Sequence, residues 1–288
     1  MNKILKETRE AQIKRYLSIN FLKFIFGRFK LIRLLYRKCN IIKRKFVSKQ
    51  IETSNNNYLS CDSDNQTILT NLKKEGFYKG LKLNNNVLND LKNLSNKSEL
   101  YSPRIKKKFT SFEEVDNFNQ KNDNPCCLLN LTNPDLIRFA DEISRDKILL
   151  DIVGSYLGNI NKIDTRISWS SVCEANDAWR EADNQTVTFH YDVHDLNFVY
   201  VFFYLTDCDK NSGAHQLIRG SHLNKKFFKY LLGSVKREEQ ELEEYYNKNN
   251  FIFVEGSEGC GFIEDTFCYH RALKPINKPR LCLQFRYH

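Results

Sequence analysis

The sequence predicts an α+β protein: a basic helical N-terminal arm, then helices, then an antiparallel β-sandwich or barrel. Three observations carry that prediction. Before residue 160, apolar residues recur at helical spacing between capping residues. After residue 160, short β-branched and aromatic runs alternate with turn residues. The charge is also uneven. Of 45 Lys+Arg and 35 Asp+Glu, residues 1–50 hold 15 and 2, a balance of +13, and residues 51–288 hold 30 and 33, a balance of −3.

The arm, residues 1–50, contains "LSINFLKFIFGRFKLIRLLYRKCNIIKRKFV" at 17–47. Lys23, Arg28, Lys30 and Arg33 interrupt its apolar run, which rules out a charge-free span of the ~20 residues a bilayer crossing needs. No small-residue cleavage site marks it as a secretory signal. A basic amphipathic helix of this kind suits an anionic membrane surface, with packing of its apolar face on the body or a partner as the alternative. Its apolar content is high for a phosphate-tracking arm, which argues against nucleic acid as a partner.

Residues 51–66, around "ETSNNNYLSCDSDNQ", are polar and read as a linker. Residues 67–288 then form one domain, with a helical part over 67–160 and a barrel over 161–288. The helical part opens with a short helix, a stop at Gly76, a strand around 77–83 and a second helix from Asn84–Asn86. A further helix spans 133–158, with Pro134 in its first turn and Gly158 at its exit. In the barrel part, "KIDTRISWSSV", "QTVTFHYDV", "NFVYVFFYLTD", "AHQLIRGSH", "FIFVEG", "CGFIED" and "RLCLQFRYH" read as strands. The charged insert 225–250 reads as helical. Nine cysteines, with no CxxC or zinc spacing, read as mostly buried, reduced thiols of a cytoplasmic protein.

The candidate site lies in "TFHYDVHDLNFVYVFFYLTD", 188–207. His190 and Asp192 stand two apart at a strand end, so alternation puts both on one face. The pair alone is a weak signal. His270, in "DTFCYHRALKPINKPR", is placed to supply a third ligand from a distant strand. Two imidazoles and one carboxylate on one face leave octahedral positions open, which suits non-haem Fe(II) with a co-substrate and O2. Along "RLCLQFRYH", Arg280, Cys282, Gln284 and Arg286 share one face. A polar face with two arginines suits a cavity wall on which one guanidinium grips an acid; Arg286 is the better candidate for a plain ion pair. Among rival histidines, His194 falls where the chain leaves the barrel, His215 lines the pocket or supports a ligand, and His288 is frayed. Trp169 and Trp179 read as core or pocket wall.

The ordered set "HYD" (190–192), "VFFYLTD" (201–207), "SGAHQLIRGSH" (212–222) and "HRALKPINKPR" (270–280) resembles the phytanoyl-CoA dioxygenase family of Fe(II)/2-oxoglutarate oxygenases. The resemblance covers roughly residues 66–288; the arm and linker fall outside it. It implies a double-stranded β-helix, a cupin-like jelly roll. It implies that His190, Asp192 and His270 bind iron, that Arg280 anchors the distal carboxylate of 2-oxoglutarate, and that Tyr204 lies beside that co-substrate. Retention of Asp192 favours hydroxylation of a small molecule over halogenation. Arg219 departs from the proline usual before "GSH", and His222 reads there as structural. A lipid or cell-envelope precursor is compatible with the basic arm. The rival readings are a jelly-roll binding module with a vestigial metal site, and a membrane-docking scaffold.

Overall fold

A computed structural model of the chain describes residues 25–46, 51–193, 195–225 and 235–288. The helical part follows from its capping residues. After α1 (Lys30–Arg44) and strand β1 (Leu59–Cys61), Asp64 caps α2 (Asn65–Glu75) by accepting from Thr67 N–H. Gly76 ends α2 at φ +71°, in the left-handed region. A Cβ there would also lie 2.4 Å from Cys268 Sγ and 2.7 Å from His222 Nδ1, so the turn needs glycine for both conformation and space. β2 (Phe77–Leu83) and α3 (Asn85–Asn96) follow where the sequence places them.

β3 (Leu100–Ser102), β4 (Lys107–Phe109), α4 (Phe112–Lys121) and β5 (Leu128–Leu131) come next. The helix expected over 133–158 is two helices, α5 (Pro134–Ile143) and α6 (Lys147–Leu157). The break has a local cause. Asp146 accepts from Ile148 N–H as the cap of α6, and its other oxygen takes Tyr58 N–H.

The remaining elements are β6 (Ile163–Ser170), α7 (Asp177–Ala182), β7 (Val199–Tyr204), β8 (His215–Ile218), α8 (Glu239–Glu243), β9 (Phe251–Val254), β10 (Cys260–Glu264), β11 (His270–Ala272) and β12 (Arg280–Tyr287). Two antiparallel sheets result. One has nine strands in the order β1-β2-β10-β7-β12-β6-β5-β3-β4, and the other has three, β11-β8-β9. Alternation sorts the large sheet into two faces. Leu281, Leu283, Phe285 and Tyr287 of β12, with Val199, Val201 and Phe203 of β7, join the core formed with α2, α5 and α6. The opposite face, through Tyr204, Phe262 and Cys282, packs with Leu217 and Val254 of the small sheet and with Ala214 just before β8. The cavity lies along that second face.

"QTVTFHYDV" is extended but is not a ladder strand. Only Phe189 and His190 make isolated bridges, to Arg237 and His270. Its backbone groups are satisfied by scattered bonds instead: Thr188 N–H donates to Glu181, the Thr188 carbonyl contacts His190 Nδ1, and the Thr186 carbonyl accepts Ala272 N–H. Residues 51–66 include β1, paired with β2, rather than linker alone. In the charged insert, residues 235–250 carry α8 and a 3₁₀ turn at Lys248–Asn250, and 226–234 lie outside the described residues.

Of the arm, residues 25–46 are described, and α1 packs on the body with its polar side inward. Arg33, Arg37 and Asn40 are buried while Leu31, Leu35 and Ile42 are exposed. The reason is Asp265, a fully buried carboxylate just after β10. Arg33 Nη2 reaches Asp265 Oδ1 at 2.8 Å, and Arg37 Nη2 reaches Oδ2 at 2.9 Å. The guanidiniums lie over the rings of Phe267 and Tyr156, and Arg37 also donates to Asn197. A buried carboxylate must be paired, and α1 turns its arginines inward to do so. No helix among the described residues is long and apolar enough to cross a membrane.

Candidate metal centre and cavity

Alternation survives in the extended segment before β7. Phe189, Tyr191 and Val193 pack into a satellite core with Phe267 and Tyr269, so His190 and Asp192 face the other way, into the cavity. His270 opens β11 and is held against the same segment by paired backbone bonds, His190 N–H to His270 O at 3.0 Å and His270 N–H to His190 O at 2.8 Å. Asp192 N–H donates to Thr266 O at 2.8 Å. One ligand atom from each of His190, Asp192 and His270 lies within 4.8 Å of the others. The three residues singled out in the sequence therefore converge.

The orientation of each ring is fixed from behind. Nδ1 of His190 lies 3.1 Å from Thr188 O, and Nδ1 of His270 lies 3.0 Å from Cys268 O. A carbonyl only accepts, so each Nδ1 carries the proton and each Nε2 offers a lone pair. Those Nε2 atoms lie 3.9 Å from the two Asp192 oxygens, too long for a hydrogen bond. Burial pushes His190 below the usual histidine range and His270 down to about 4. Both are neutral near pH 7, the state in which imidazole binds a metal. Two neutral nitrogens and a carboxylate oxygen, with no donor hydrogen between them, fit a divalent cation such as Fe(II).

The cavity has a volume of about 210 Å³. Arg280, at the start of β12, reaches it almost wholly buried. Its Nη1 donates to Gly213 O and its Nη2 to Ser170 Oγ at 3.3 Å, while its Nε is buried with no hydrogen-bond partner. Arg286, on the same face, is spent on Asp164, which also takes His288 Nε2 at 3.0 Å. His288 is thus tied down rather than frayed, its backbone bonded to Lys162. Tyr204 does not reach the cavity wall. Its hydroxyl donates to Val254 O at 2.8 Å and accepts His215 N–H at 3.1 Å, bracing the small sheet against β7. His222 is buried between Lys73 O and Cys268, away from the three ligand atoms. Trp169 belongs to the core, and Trp179 donates to Pro125 O under Arg104. His194 lies outside the described residues.

Two groups escaped the sequence reading. Glu264 is fully buried, with Oε2 2.6 Å from His215 Nε2 and Oε1 3.6 Å from His270 Nδ1, neither aligned as a hydrogen bond. Burial pushes this carboxyl up to about 8; burial and then Arg280 push His215 down to about 3. Burial thus disfavours charge on both groups. Arg166, on the cavity face of β6, is held by Asn130 at 2.7 Å. Both were visible as alternation: Phe262 and Glu264 share a face in "CGFIED", as do Arg166, Ser168 and Ser170 in "DTRISWSS".

No family model matches the sequence, and no curated protein does. Solved structures do. HygX from Streptomyces hygroscopicus, crystallised with nickel and 2-oxoglutarate bound, matches with a TM-score of 0.50 and 11% identity, over 78% of this chain and 87% of that one. EctD from S. alaskensis, with 2-oxoglutarate and 5-hydroxyectoine, matches with a TM-score of 0.50 and 14% identity, over 83% of this chain and 81% of that one. The chain shares their fold.

Proposed function

We propose that this chain is an Fe(II)- and 2-oxoglutarate-dependent oxygenase that hydroxylates a small molecule, in the manner of the phytanoyl-CoA dioxygenase family, and that its two sheets form a double-stranded β-helix. The observation that carries the reading is the convergence of His190, Asp192 and His270 in a cavity that also holds the buried, incompletely bonded Arg280. Support comes from the shared fold of HygX and EctD, both crystallised with 2-oxoglutarate.

His190, Asp192 and His270 would hold the iron. When bound, iron and 2-oxoglutarate would supply the oxidising chemistry, with one atom of O2 ending in succinate, the other in the hydroxylated product, and CO2 released. The chain supplies position and environment. Thr188 O and Cys268 O fix the two imidazoles as Nδ1–H tautomers. Arg280 presents a permanent charge to a carboxylate, oriented by Gly213 O and Ser170 Oγ. Phe202, stacked on Phe262, gives the otherwise largely polar cavity wall an apolar patch.

Anaerobic titration of the full chain with Fe(II) and 2-oxoglutarate tests this. The expected result is a visible charge-transfer band, and succinate release on admitting O2. Absence of the band at saturating 2-oxoglutarate in protein that demonstrably holds Fe(II) would refute the reading.

A further inference from the structure

Among the described residues, nine large hydrophobic side chains are exposed, and seven of them lie between Ile25 and Phe46. Scattered exposed apolar residues need no explanation, but this concentration does. α1 creates it by its orientation. At about 100° per residue, Leu31, Leu35 and Ile42 fall on one stripe and Arg33, Arg37 and Asn40 on the opposite one. The buried ion pairs with Asp265 fix which stripe faces outward. Leu31 is 72% exposed, Leu35 62%, Ile42 58%, and Phe46, just past the helix end, 83%.

The outward stripe is flanked by charge of one sign. Lys30, Lys38, Lys43 and Lys45 are exposed, and residues 25–46 contain no Asp or Glu. Asp265 pairs with the two inward arginines only, and its single negative charge offsets one of their two. We infer that α1 docks its outer face on an anionic lipid surface, with Leu31, Leu35, Ile42 and Phe46 entering the headgroup boundary and the lysines meeting the lipid charge. Charge selects this occupant. A second copy would set lysine against lysine. A nucleic acid would meet the lysines yet leave the apolar stripe in water. The inference is independent of the proposed oxidation chemistry. It also reverses the alternative in which the apolar face covers the body, because for residues 30–44 that face points away from it.

Flotation of the full chain with phosphatidylcholine vesicles, with and without phosphatidylglycerol, tests it. Binding is expected to the anionic vesicles only, and it weakens as salt rises. Leu31→Ser with Leu35→Ser should lower partitioning by about tenfold or more, since both side chains leave the lipid. Lys30→Gln with Lys38→Gln and Lys43→Gln should abolish the preference for phosphatidylglycerol. All five side chains are exposed, so melting should stay close to that of the parent. No binding to anionic vesicles at low salt overturns the proposal. So does a dimer in sedimentation velocity that Leu31→Ser/Leu35→Ser dissociates, which would assign the face to a second copy.

Discussion

At the scale of single residues, Arg280 and Tyr204 separate a binding role from a bracing one. Arg280 lines the cavity with a planar fork whose Nε is buried without a hydrogen-bond partner. Arg280→Lys keeps the charge but loses the paired geometry, so the KM for 2-oxoglutarate should rise by about tenfold or more with little loss of stability. Tyr204→Phe should do the reverse. It strands Val254 O and His215 N–H inside the protein and should cost about 1–3 kcal/mol in denaturant unfolding. A rise in KM without that loss would put Tyr204 beside the co-substrate after all. The contrast shows what the sequence could reveal at this scale. That His190, Asp192, His270 and Arg280 share one cavity was legible from strand alternation and the ordered motifs together, since the His190–Asp192 pair alone is a weak signal. Tyr204 was not, because an aromatic on a strand next to a site is equally a packing residue, and only its two backbone partners distinguish the two.

At the scale of elements, the arm departs most from its sequence reading. An amphipathic helix is expected to bury its apolar side, and α1 buries its arginines. The deciding partner, Asp265, lies more than two hundred residues away, in a segment whose prominent feature was His270. Local pattern cannot report such a pairing. The alternation along β12 depends only on neighbouring residues, and the polar face read there is the one that lines the cavity. Asp265 carries the turn that links β10 to β11. Its N–H donates to Gly76 O, its Oδ1 accepts Phe267 N–H, and its Oδ2 takes Tyr156 Oη. Burial alone would raise its pKa, but Arg33 and Arg37 outweigh that and hold it well below the usual carboxylate range. Asp265→Asn leaves two buried guanidiniums with no counter-charge, so it should cost about 3–5 kcal/mol. The exposed Arg138–Asp135 pair is the control: Asp135→Asn should change stability by less than about 1 kcal/mol. Because the Asp265 turn leads into Thr266, whose carbonyl takes Asp192 N–H, Asp265→Asn should also weaken Fe(II) binding.

At the scale of the whole molecule, the buried ionisable groups set a pH dependence for the metal-free protein. His222 and His270 are held to about 4 and His215 to about 3, chiefly by burial. An unfolded histidine titrates near 6.5. Between about pH 6.5 and 4 the unfolded chain therefore binds protons that the folded chain refuses. Stability is full above about pH 6.5 and falls as pH drops, by up to ~1.4 kcal/mol per pH unit for each such histidine. Glu264 works the other way. Its carboxyl, raised to about 8, keeps its proton in the folded state while an unfolded glutamate releases it near 4.3. Its contribution is full below about pH 4.3 and is lost as pH rises to about 8. The two limbs can be isolated by difference. His222→Gln should shallow the acid limb between about pH 6.5 and 4 and leave the slope above it unchanged. Glu264→Gln should gain on the parent steadily from about pH 4.5 to about 8 and run parallel beyond, measured by urea midpoints at matched salt. A constant offset between the Glu264→Gln and parent curves across that range would mean that Glu264 is ionised in the fold. The neutral environment assigned to the two metal-facing imidazoles would then be wrong as well.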